Sequence, residues 1–352
     1  MSSEVQVLKA SCHCRKVIFS INVPTNALPL KVHLCHCSVC RQTHGAPCSF
    51  HAPMPSGSHP EFISPSRFEN LTGYAHENSK STRFFCNNCG CHIGDRDHDH
   101  GNWYIAVSIL GENQYERLWT IRSHAYTART GDGGLSTIIA QISGREVPTW
   151  NPQDTAESYP AKSPWDDELI GQCHCGGVSF KISRPMEEFV ADPENQGWLH
   201  PSDHSKWLAL VDVCDDCRLV TGTHVIAWMF VPRSHITPTP PADLRIGTMK
   251  TYVSSEGVLR GFCGTCGATV FYTCAERPHV VDIATGILRA TEGVMAEDWA
   301  LWRTARLGYL DDGLAYDPAF TRGLEAGLRE WGMRKIGKVM DFAVGSETHN
   351  SA

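Results

Sequence analysis

The stretch Cys35-His36-Cys37-Ser38-Val39-Cys40-Arg41 places three cysteines within six residues. A Cys-x-Cys-x-x-Cys spacing lets three thiolates converge on one ion from a single turn of loop. Zinc prefers four tetrahedral ligands, so three protein thiolates leave the fourth position to water or a substrate atom. Such a metal can do chemistry as well as hold a fold. A fourth ligand from elsewhere in the chain would close the site, and three uncoordinated core cysteines would leave it without metal.

Cys12-His13-Cys14 and Cys86-Asn87-Asn88-Cys89-Gly90 supply four more thiols, enough to close a coordination shell and mark a structural zinc. Gly90 permits the tight turn such a knuckle needs. The pattern then returns as Cys173-His174-Cys175 and Cys263-Gly264-Thr265-Cys266-Gly267, and Cys40-Arg41 is echoed by Cys217-Arg218. Cys40 precedes Cys86 by 46 positions, and Cys217 precedes Cys263 by the same number. At that constant offset Arg83 falls on Arg260 and Phe85 on Phe262, whereas Tyr74 lands one position short of Tyr252. The chain is a tandem duplication.

The central cluster differs in the second copy, which reads Asp212-Val213-Cys214-Asp215-Asp216-Cys217-Arg218. One carboxylate with two thiolates is a harder, weaker set for zinc than three thiolates. The expectation is that this site has decayed, leaving one competent centre in the first copy. A metal held by Asp212, Cys214 and Cys217 with altered chemistry is the alternative. The second copy also carries extra residues between Cys175 and Cys214, and Pro193 to Trp198 reads as a loop there.

The elements that must position these residues are mostly strands. Trp103-Tyr104-Ile105-Ala106-Val107 and His224 to Val231 are short, β-branched or aromatic, and bounded by Gly, Pro or polar residues. A helix is expected from Asp317 to Arg334, with Pro318 in its first turn and Phe320, Leu324, Leu328 and Trp331 along one face, packed on the second copy. The tail after Asp341 reads as frayed. Pro148 to Pro164 is rich in Pro, Ser, Asn and acidic residues, as in a linker. The organisation expected is an all-β first domain over 5–147, a linker over 148–165 and a second domain over 166–340.

At 352 residues the chain suits two domains. A net charge of −7 and the lack of any Lys/Arg-rich block argue against nucleic acid. No apolar run is long enough for a membrane span, and the N-terminus lacks signal-peptide features, so a cytoplasmic, reducing location is expected. Sixteen cysteines there point to metal or redox chemistry rather than disulfides.

The arrangement resembles the glutathione-dependent formaldehyde-activating (GFA) family, which includes the CENP-V proteins. The resemblance rests on Cys12/Cys14, Cys35/Cys37/Cys40-Arg41 and Phe85-Cys86/Cys89-Gly90, over residues 5–145 and, less completely, 168–310. It implies a mainly β zinc fold of stacked antiparallel sheets related to methionine sulfoxide reductase B. It assigns the outer motifs to structural zinc and the middle triplet to an acting zinc. The activity it implies is carbon–sulfur lyase chemistry on a glutathione or other thiol adduct of a small molecule, as in S-(hydroxymethyl)glutathione synthase. His124 lies where the family often has a histidine.

Beside the ligands, Arg41 either neutralises the cluster or holds a substrate carboxylate, or else supports the loop. His44 reads as a loop histidine with a proton shuttle as the alternative, Cys91 as a buried small residue, and Asp95 to His100 as a solvated loop. A non-catalytic zinc module and a thiol redox enzyme are the rival functions. The redox enzyme would need a reactive thiol among Cys48, Cys91 and Cys274.

Overall fold

The computed structural model describes residues 4–151 and 168–345. Most of the expected linker lies outside the described residues, but Thr149–Trp150 forms a short strand. In each copy a large sheet is faced by a three-stranded one. Across the first large sheet the order is Thr149–Trp150, Trp119–Ala125, Leu30–Cys35, Ser49–Pro53, Trp103–Ala106, His92–Asp97, Ser81–Cys86 and Leu71–Tyr74. The second runs Ala300–Trp302, Trp207–Asp212, Ile226–Pro232, Val280–Ala284, Thr269–Cys274, Val258–Cys263 and Met249–Ser255. Apart from the extra edge strand the two orders are the same. The smaller sheets are Val5–Ser11, Ile18–Pro24 and Glu61–Phe62 in one copy, and Glu168–Gln172, Ser179–Ser183 and Ile236–Thr237 in the other.

Alternation explains the first copy: Leu30, Val32 and Leu34 point into the core while Lys31 and His33 face out. The ligand-bearing strand Leu30–Cys35 pairs in parallel with Trp119–Ala125, and the register sets His124 against Leu34 and Ala125 against Cys35. The matching strand Trp207–Asp212 is buried at every position. Its Trp207, Ala209 and Val211 join the main core, while Leu208 and Leu210 join a separate apolar cluster on the other face. A sheet covered on both faces loses the alternation.

That second cluster comes from segments whose order the composition did not reveal. The extra residues of the second copy form a helix, Glu187–Ala191, and a 3-10 turn, Pro193–Trp198, capped by the Asp192 carboxylate, rather than an open loop. Val344 of the expected frayed tail is buried in the same cluster, as is Met340 just before that tail.

The C-terminal helix spans Pro318–Ile336, with Asp317 accepting from the Phe320 N–H as its cap. It packs on the first copy as well as the second. The Asp317 carboxylate accepts from Trp119 Nε1 (2.8 Å), Phe320 meets the Phe50 ring edge-on, and Arg334 donates to the Thr137 carbonyl (2.7 Å). A Cβ on Gly327 would lie 1.8 Å from the Ile138 oxygen, so glycine there permits the approach. Periodicity defines a helix's apolar face; it does not name the partner.

The copies dock through one continuous core around a pseudo-twofold axis. The His13 N–H donates to the Leu219 carbonyl and the His174 N–H to the Gln42 carbonyl, both 3.1 Å. Tyr252 Oη meets His13 Nδ1 at 2.8 Å and Tyr74 Oη meets His174 Nδ1 at 2.7 Å. Tyr74 pairs with Arg83 and Tyr252 with Arg260, so the one-residue slip in the repeat falls in the hairpin turns that follow the two tyrosines. Gly45 and Gly222 lie in left-handed backbone, where a Cβ would come 2.1 Å from the carbonyl oxygens of Thr269 and His92 respectively. Gly45→Ala and Gly222→Ala are each expected to destabilise the chain by about 1–3 kcal/mol from backbone strain, with the clash added. Denaturant midpoints will check this, and a change below that range in both would show the docking to be loose.

Candidate metal centres

The fold gathers four ligand sets. In each of them every pair of ligand atoms lies within 4.8 Å: Cys12, Cys14, Cys86 and Cys89; Cys173, Cys175, Cys263 and Cys266; Cys35, Cys37 and Cys40; and Asp212, Cys214 and Cys217. In the first four-thiol set Cys14 Sγ lies 3.6 Å from Cys86 Sγ, and in the second Cys175 Sγ lies 3.5 Å from Cys263 Sγ. Sulfurs held this close without disulfide bonds fit a shared cation.

In the central set of the first copy, Cys37 caps the short helix Ser38–His44, its sulfur accepting the Cys40 N–H at 3.4 Å. A helix start and a nearby guanidinium both favour thiolate. Hydrogen bonds from the Cys35 and Cys37 thiols pull the Cys40 thiol well below its ordinary value, and the Arg83 charge adds to this. Arg83 Nη2 points at Cys40 Sγ from 3.8 Å. Cys35 and Cys37 remain partly open to solvent.

Around this loop stand two rows of side chains. His124 donates from Nε2 to the Ile139 carbonyl (2.8 Å), so its Nδ1 accepts from His36 Nε2 (2.9 Å), which ties the ligand loop to the strand beside it. Arg41 is buried, with Nε donating to the His36 carbonyl (2.9 Å) from beneath the loop. On the other side His44 donates from Nδ1 to the Cys40 carbonyl (2.9 Å), because a carbonyl only accepts. Its Nε2 lies 3.2 Å from His51 Nε2, and His51 Nδ1 donates to Asp95 Oδ1 (2.8 Å). Asp95 lies on the strand His92–Asp97 instead of in a solvated loop. Tyr126, in left-handed backbone just past Ala125, has its phenol raised by burial and by the Cys35, Cys37 and Cys40 charges.

His36, His51, Arg83 and Tyr126 were not singled out from their types. Arg83 alone left a signal, since it recurs as Arg260 at the repeat offset. Residues on four different strands meet at this loop only after folding.

The GFA family, described as glutathione-dependent formaldehyde-activating enzyme, matches the chain over residues 7–129 and again over 202–305. The chain belongs to this family. No curated protein and no solved structure matches it. The second GFA segment begins after Cys173 and Cys175, yet the structure brings both to Cys263 and Cys266. In the second copy Val213 and Leu307 stand where His36 and His124 stand in the first GFA unit, and Trp228 and Tyr272 replace His51 and Asp95. Arg260 keeps the role of Arg83, with Nη1 3.5 Å from Cys217 Sγ.

Burial holds several of these histidines neutral, lowering His124 to about 4 and His92, between the copies, to about 3. An unfolded histidine takes up its proton near 6.5, so below that pH the unfolded state binds more protons and folding weakens as pH falls. Each group should remove about 2 kcal/mol between pH 7 and pH 5. Unfolding titrations of the wild type and of His92→Thr, which copies Thr269, test the share of His92. Equal pH slopes in the two proteins would contradict the assignment.

Proposed function

We propose that the first copy is the catalytic unit, a zinc-dependent carbon–sulfur lyase of the S-(hydroxymethyl)glutathione synthase type acting on a glutathione or other thiol adduct in the cytoplasm. The observation that carries this is a half-open three-thiol loop with a guanidinium on one sulfur and a proton-holding His51–Asp95 pair beside it. The donor set fits zinc: three thiols, one capping a helix start, with no fourth protein ligand grouped with them among the described residues. Zinc held there would lower the pKa of an incoming thiol and keep it as thiolate.

The chain's own residues do the rest. Arg83 offsets the charge of Cys40, and His36, His124 and Arg41 fix the loop. As the thiolate sulfur adds to an aldehyde carbon, the C=O bond becomes C–O–H. The proton it needs is the one held between His51 and Asp95; the proton the incoming thiol gave to water on becoming thiolate restores the pair, and the reverse reaction runs the same transfers backwards. The balance is a thiol plus an aldehyde giving a hydroxyalkyl thioether.

A thiol redox reading lacks its nucleophile. Cys48 and Cys91 are fully buried, and burial pushes both thiols well above their ordinary value. Cys274 is largely buried. A net charge of −7 without a Lys/Arg-rich block argues against a nucleic-acid partner, and no helix among the described residues is long and apolar enough to cross a membrane.

Cys37→Ser is expected to lower the zinc content by one ion per chain and abolish glutathione binding. Asp95→Asn should keep the metal and lower turnover of formaldehyde with glutathione by about 10- to 100-fold. Zinc analysis, glutathione titration and steady-state rates read these out. Unchanged zinc in Cys37→Ser would move the reading to a non-catalytic zinc module.

A further inference from the structure

The second copy's central cluster lies at the floor of a cavity of about 500 Å³ lined by Cys214, Cys217 and Asp212. Three features distinguish it from a worn-out version of the first site. The Asp212 carboxylate is buried and lies close to two sulfurs; its Oδ1 accepts the Cys214 N–H (2.7 Å). Burying a carboxylate is costly; the Arg260 guanidinium beside the cluster offsets part of that cost, and a metal between the carboxylate and the sulfurs would offset more. Cys214 caps the helix Asp215–Thr221 as Cys37 caps its counterpart, and Arg260 sits on Cys217 as Arg83 sits on Cys40. The walls are also specific to this copy. Trp228 and Tyr272 replace His51 and Asp95, and Trp198 from the inserted segment packs toward Phe230, with Arg277 alongside paired to Asp282. Val344 from the tail completes the lining.

We propose that Asp212, Cys214 and Cys217 hold a fourth zinc ion whose open position faces this cavity, and that the site takes small neutral or cationic ligands in place of anionic thiols. The mixed oxygen and sulfur donors give less electron density than three thiolates, so the ion is the stronger Lewis acid of the two open centres. The mouth sets the charge preference. Asp215 and Asp216 stand where the first copy has Ser38 and Val39, and Asp312 and Glu276 add to them. Asp215 is partly offset by Arg218 and Asp216 meets His13, but both carboxylates are more than half exposed. Glutathione, with two carboxylates and one ammonium, meets like charge there.

The test uses the full chain carrying Cys37→Ser, so that the first open centre is disabled. Zinc per chain is expected to be three, falling to two on adding Cys214→Ser; two in both proteins would overturn the fourth site. Asp212→Cys guards against a variant that fails to fold. It should retain three ions and move the absorption bands of the cobalt-loaded protein, and an unchanged spectrum would show that Asp212 is not a ligand. Cysteamine, a cationic thiol, should perturb the cobalt bands of the Cys37→Ser chain at about tenfold lower concentration than glutathione. An equal or reversed order would overturn the charge preference.

Discussion

Reciprocal docking about the pseudo-twofold axis is the constraint on which the rest of the molecule depends. Each four-cysteine knuckle presses on the other copy: a Cβ on Gly90 would strike the Phe262 ring, and one on Gly267 the Phe85 ring. Each knuckle's His13 or His174 N–H holds the end of the helix that follows the opposite copy's central cluster. The zinc-type knuckle of one half therefore buttresses the ligand loop of the other. Buried backbone groups must find partners, and here those partners lie across the interface. The shared core follows from this, since neither copy could withdraw without exposing apolar surface and unpaired amides together.

Within that frame the two central loops keep one backbone and carry different side chains. Both place a cysteine at a helix start and an arginine against the next cysteine. Around the first loop the sheet presents His36, His51, Asp95 and His124, groups that hold and pass protons. Around the second, Val213 and Leu307 join the main core while Trp228 and Tyr272 wall a cavity. A duplicated chain can divide labour this way because the cysteines fix the loop while the neighbouring strands set its surroundings.

The metal sets were the most legible part of the chain, because coordination chemistry imposes short spacings that survive in sequence. Strand content was legible for the same kind of reason, through β-branched and aromatic runs between turns. What was not legible was mostly a matter of partners. The helix after Asp317 was readable, but its docking against Trp119 and Phe50 was not. The segment from Pro193 looked like a loop because proline, asparagine and glycine are turn formers, and it becomes ordered by burying Trp198. Asp95 sat in a run of alternating Asp and His that resembled a solvated turn, and pairing with His51 gave it a fixed place on a strand.

By itself the sequence determined that there are two copies, that each has a four-thiol set, and that the central loops carry three and two cysteines. These are local facts: spacing along the chain limits which atoms a single loop can bring to one ion. Only the tertiary structure decided what surrounds those loops, because strands distant in sequence become neighbours through hydrogen-bond register. Register placed His124 against Leu34, within reach of His36, and Trp228 and Tyr272 near Asp212, and no spacing in the chain encodes that choice.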